Sequence, residues 1–132
     1  MNINDDIVRL WMMKAKHDLD TAHLVSISLP EYDDTIAFHC QQVIEKTLKA
    51  YLVFLDIDFK PVHDLGYLIT LIGTKDPSID EFYDAVDEIS RFAVQIRYPD
   101  TIIHLTQKEI SAALDLADQI FIFVGDKVKL IM

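Results

Sequence analysis

Four prolines, Pro30, Pro61, Pro77 and Pro99, fix the lengths of the elements this chain can build. Each lacks an amide hydrogen and crowds the turn before it, so each marks a helix boundary. Glycine is scarce as well, with three in 132 residues. Few turn formers mean few, long elements, which favours helices over many short strands.

Four of the five segments between these breaks carry a clear 3.6-residue apolar pattern. The first spans about Asn4 to Leu29, with Ile7, Trp11, Ala15, Leu19 and Ala22 on one side and Asn4 or Asp5 as cap. Asp18 falls about 20° from the Trp11 direction, and a carboxylate buried there needs a partner. The second runs from Asp33 or Asp34 to about Leu55, with a stripe of Ala37, Cys40, Ile44, Leu48, Tyr51 and Leu55. His39, Gln42, Lys46 and Lys49 lie opposite, as on a solvated face.

A short third helix is predicted from Asp64 to about Ile72, capped by Asp64 and stopped at Gly73. The fourth opens on Ser78-Ile79-Asp80-Glu81, which reads as a capping box, and carries Phe82, Ala85, Val86, Ile89, Ala93 and Ile96. The fifth opens on a second capping box, Thr106 to Glu109, followed by Ile110, Ala113, Leu114, Ala117, Ile120, Phe121 and Val124. Four amphipathic helices with short connections predict an all-α fold: an up-and-down antiparallel four-helix bundle plus one short helix. Nothing marks a linker or a repeat, so residues 1–132 read as one domain.

The net charge is -10, the wrong sign for gripping nucleic acid through the overall field. Asp76, Asp80, Glu81, Asp84, Asp87 and Glu88 concentrate the acidity, while Lys46 and Lys49 form the best local basic feature. Cys40 is the lone cysteine, so no intrachain disulfide can form, which fits a reducing compartment. The acidic start lacks a signal-peptide pattern, and the longest apolar run, Ala50 to Leu55, is too short to cross a bilayer. The expected location is the cytoplasm, without membrane contact. No H-E-x-x-H, C-x-x-C, P-loop or G-x-G-x-x-G occurs, so neither a metal nor a cofactor is expected.

Several motifs stand in a fixed order along these helices. Trp11, Ala15, Asp18, Leu19 and Ala22 spell W-x3-A-x2-D-L-x2-A. Gln41, Gln42, Glu45, Lys46, Leu48, Lys49 and Ala50 spell Q-Q-x2-E-K-x-L-K-A. Val62-His63-Asp64-Leu65 and Arg97-Tyr98-Pro99 follow. Together they resemble the HEPN (higher eukaryotes and prokaryotes nucleotide-binding) domain family, from about Trp11 to Pro99.

The resemblance implies a homodimer, often beside a minimal nucleotidyltransferase partner. It implies either a nucleotide- or RNA-binding module or a metal-independent ribonuclease of the toxin–antitoxin kind, whose signature is R-x4-6-H. Arg97 and His104 have six residues between them and form such a pair. Imidazole supplies proton transfer near neutrality and guanidinium stabilises the charged phosphorane. The two would meet across a dimer cleft. Tyr98 stands where active relatives carry a polar residue, and Pro99 ends the helix inside the motif, so binding without catalysis is the favoured expectation. A purely structural helical dimer is the third reading. Lys46, Lys49 and Gln42 are the candidate phosphate contacts, and Asp18, His63 and Asp64 candidate supporting residues. The plainer reading is a solvated face with a Glu45–Lys49 pair, an Asp64 cap, and a structural partner for Asp18.

Overall fold

The computed structural model describes residues 2–96 and 105–132, with the backbone alone over 92–96. Five α-helices follow in order: α1 (Ile3–Ser28), α2 (Asp33–Phe54), α3 (Leu65–Gly73), α4 (Tyr83–Ile96) and α5 (Gln107–Val128). A 3-10 turn, Pro77–Phe82, leads into α4, and a second, Lys129–Ile131, follows α5. There is no strand among the described residues. No described helix is long and apolar enough to cross a membrane.

Local chemistry explains most boundaries. Asn2, not Asn4 or Asp5, caps α1, its side chain accepting from the Asn4 amide at 2.9 Å. α2 has no side-chain cap, but Asp33 and Asp34 in its first turn suit the positive end of the dipole. α2 stops at a residue in the left-handed region, Asp56 with φ 58°. The Ile57 amide returns to the Leu52 carbonyl at 2.9 Å and the Asp56 amide to Val53 at 3.1 Å. This is a Schellman closure with aspartate where glycine is usual. Asp64 caps α3 through the Tyr67 amide at 3.1 Å.

The two capping-box sequences diverge. At Thr106 both halves form: the Glu109 amide donates to Thr106 Oγ1 at 3.1 Å and Glu109 Oε1 accepts from the Thr106 amide at 2.9 Å. At Ser78 the expected box does not form. Asp76 captures both the Ser78 amide and the Ser78 hydroxyl. The chain then runs as a 3-10 turn, and α4 starts at Tyr83.

α2 is the central helix. It packs against α1, α3, α4 and α5. Ile36, Ile44, Leu48 and Leu52 are wholly buried, each contributing roughly 1.5–3 kcal/mol. The expected solvated face of α2 is therefore wrong in part. Lys49, Glu45 and Gln41 are buried, and His39, Gln42 and Lys46 are half-buried. The core face of α1 is also rotated from the expected stripe. Val8 and Met12 join Ala15, Leu19 and Ala22 inside, whereas Ile7 is exposed and Trp11 sits at the edge. On α4, Val86 and Ile89 enter the core but Ala85 stays exposed. A groove lies between described residues at the start of α4 and along α5.

Candidate functional site

The polar residues singled out on α1 and α2 converge along one seam. Asp18 projects from α1 between two donors of α2. Its Oδ1 lies 2.9 Å from His39 Nδ1 and its Oδ2 2.5 Å from Lys46 Nζ. His39, Lys46 and their neighbour Gln42 are spaced at three and four residues, so one face of α2 carries all three. The Asp18 side chain is 13% exposed and that of Lys46 23%. The seam is thus reachable from solvent at its cationic side.

One turn further along α2, Glu45 repeats the arrangement. It accepts from Lys49 Nζ at 3.1 Å and lies 3.0 Å from His63 Nδ1. Lys49 also stands 5.6 Å from the centre of the Trp11 ring, a cation–π contact that closes the inner end of the seam. His63 comes from the loop before α3 and is largely exposed. Asp64, its neighbour, points instead to its own helix as a cap. Phe38 meets the His39 ring edge-on at 5.4 Å and is itself half-exposed.

The seam is a balanced set of charges. Two carboxylates face two ammonium groups, with an imidazole on each carboxylate. Each ammonium carries three donors, so one bond to a carboxylate leaves others to a ligand. Gln42 and Lys46 lie at the open edge, while Lys49 is enclosed.

Gln41 belongs to the same sequence motif but not to the seam. Its Nε2 donates to the Ile89 carbonyl at 2.7 Å in a buried bond that ties α2 to α4. Arg97 and His104, with Tyr98 and Pro99, lie outside the described residues. Asp18 has Lys46 and His39 as its described partners.

A second polar cluster escaped the sequence reading. The Tyr51 hydroxyl donates to Asp76 Oδ2, and Lys127 Nζ lies 3.8 Å from the same atom. The Ser78 hydroxyl, then the Tyr51 hydroxyl, hold the Asp76 carboxyl below its ordinary range, against the opposing effect of burial. Burial, joined by the Asp76 bond, pushes the Tyr51 hydroxyl up. Burial also pushes the Cys40 thiol up to about 12, with the nearby Asp118 charge adding to it. Cys40 is therefore a core residue and not a nucleophile. No group of His, Cys, Asp and Glu among the described residues could hold a metal ion.

An all-α bundle built round one buried helix, with a polar seam of Gln42, Glu45 and Lys46 facing the first helix, defines the class of protein. The family model for the HEPN domain matches residues 8–127, and the chain belongs to that family. The crystal structure of an archaeal HEPN homologue superposes with a TM-score of 0.73, covering 92% of this chain and 97% of that one at 23% identity. That likeness establishes the fold. No curated protein matches the chain.

Proposed function

We propose that this chain is a non-catalytic, cytoplasmic HEPN module that binds nucleotide or RNA phosphate as a homodimer, paired with a minimal nucleotidyltransferase. The observation that carries the reading is the seam. Lys46 is held by Asp18 with donor capacity to spare, and Gln42 stands one turn away on the same face. A pre-positioned ammonium loses little entropy on meeting a phosphate oxygen. Because Asp18 and Glu45 offset both lysines, the seam offers local donors and not a strong field. This suits a modest nucleotide or single-strand contact and fits the net charge of -10.

A ribonuclease reading rests on a different observation, the Arg97 and His104 spacing. One experiment separates the two. Calorimetry with ATP and with a short single-stranded RNA is run on wild type, Gln42→Ala and Lys46→Gln, with RNA cleavage by wild type and His104→Ala alongside. The binding reading expects saturable heat in wild type, at least fivefold weaker in the variants, and intact RNA. Absent binding, or equal binding by Lys46→Gln, removes it. Cleavage by wild type that is lost in His104→Ala installs the ribonuclease in its place.

A further inference from the structure

The α4–α5 side of the bundle carries a surface trough among the described residues. A groove of about 530 Å³ opens between the start of α4 and the C-terminal half of α5. Phe82, Ala85, Leu116 and Phe123 form its floor, and Ile122, 61% exposed, stands beside it. The Phe82 and Phe123 rings meet edge-on at 5.3 Å, which fixes the floor. Past Ala85 and Leu116 the groove continues into a second hollow of about 420 Å³ over Ala112 and Ala113. The α5 residues lining it recur at helical spacing, so the trough runs along α5. From Ala112 to Asp126 it is about 21 Å long by helical rise, the length of a helix of about 14 residues.

Charge selects what lies there. Glu81 and Asp126 line the first hollow with no lysine or arginine among its lining residues. In the second, Glu88 and Glu109 outnumber Lys108. Lys127 does not line either hollow; its ammonium lies over the Phe123 ring at 5.2 Å and is drawn to Asp76 at 3.8 Å. A second copy of this chain docked groove to groove would press one acidic rim against another. We propose that the groove receives a basic amphipathic helix of another protein. Its apolar stripe covers Ala85 and Leu116, and its lysines or arginines meet Glu81 and Asp126. The seam uses α1, α2 and His63, none of which lines this groove, so the two sites stand or fall separately.

The probe is a labelled Leu/Lys peptide of about 14 residues with leucines at i, i+3, i+4 and i+7. Its controls are a Leu/Glu peptide of the same pattern and a scrambled Leu/Lys peptide. Binding to the full chain is read by fluorescence anisotropy, and oligomeric state by sedimentation. Wild type is expected to bind the patterned Leu/Lys peptide, and neither control, in the micromolar range. Ala85→Arg and Ile122→Lys, both at exposed positions, each weaken binding at least tenfold. Glu81→Gln with Asp126→Asn weakens it severalfold, and Asp33→Asn with Asp34→Asn leaves it unchanged. Equal binding of the scrambled peptide, or undiminished binding by both groove variants or by the neutralised rim, overturns the proposal. So does a wild-type dimer that Ala85→Arg or Ile122→Lys converts to monomer, for then a second copy occupies the groove.

Discussion

Lys46 of α2 reaches Asp18 of α1 at 2.5 Å, and this pair anchors the polar seam within an otherwise apolar helix contact. Both side chains are mostly shielded, so the loss of one partner strands the other. Asp18→Ala leaves Lys46 and His39 without their acceptor and is expected to cost about 2 kcal/mol in urea unfolding. Lys46→Met keeps the apolar stem and costs about 1 kcal/mol. The double variant should fall short of the sum by about 1 kcal/mol, the coupling between the two groups. Strict additivity would show that the pair contributes nothing.

Tyr51 and Asp76 tie the end of α2 to the turn before α4. Tyr51→Phe removes a hydrogen bond to a charged acceptor, an expected loss of about 1.5–3 kcal/mol at neutral pH. Asp76 is held below its ordinary range in the folded chain, so the unfolded chain binds the proton first as pH falls. Its stabilising effect is complete above the ordinary carboxyl range and is lost as pH drops through the folded value. The acid limb of the stability curve should therefore be shallower in Tyr51→Phe than in wild type. Parallel limbs would show that Tyr51 does not hold Asp76 in its charged form.

Cys40 gives the alkaline counterpart. Its folded thiol sits at about 12, whereas an unfolded cysteine titrates near ~8.5. The folded chain keeps the proton that the unfolded chain loses, so stability is full below the unfolded value and declines above it. Cys40→Ala should flatten that decline. A thiol reagent such as a disulfide dye should react with wild type only as fast as the protein opens. Immediate stoichiometric labelling of the folded protein would place the thiol at the surface.

The helices were legible because prolines and apolar spacing are local signals. Asp64 and Thr106 cap where their sequences indicate. Ser78 does not, because Asp76, held from a distance by Tyr51, takes the amide of Ser78 itself. The seam was legible as a set of residue types but not as a buried structure. Lys49 and Glu45 read as surface residues until Trp11 and His63 are known to cover them. Gln41 has the same appearance in sequence, and only the approach of α4 makes it a buried tie to Ile89. The rotation of α1 that puts Val8 and Met12 inside in place of Ile7 depends on where α2 lies, which periodicity along α1 does not record. The groove between α4 and α5 is likewise a property of how far apart two helices settle.

The two S/T-x-x-E sequences provide a direct contrast. Thr106→Ala deletes one half of a formed capping box and should cost about 1 kcal/mol, read as a lower urea midpoint at unchanged slope. Ser78→Ala removes only a hydroxyl bond within an exposed turn and should cost clearly less. Equal losses would mean that the Ser78 hydroxyl bond to Asp76 contributes as much as a formed cap.

Asp56 closes α2 with φ 58°, a conformation that costs an L-residue with a side chain free energy and costs glycine little. The two backbone bonds of the closure, to Leu52 and Val53, do not involve the aspartate side chain. Asp56→Gly keeps both bonds, relieves the strain and removes one negative charge from a chain of net charge -10. The gain is offset in part by the extra freedom of glycine in the unfolded chain. The expected net effect is a stabilisation of about 0.5–1 kcal/mol, seen as a Tm raised by a few degrees. Asp56→Val, β-branched at the same φ, should destabilise by about 1–2 kcal/mol. A fall in Tm for Asp56→Gly would mean that the aspartate carboxylate holds the corner by a contact of its own.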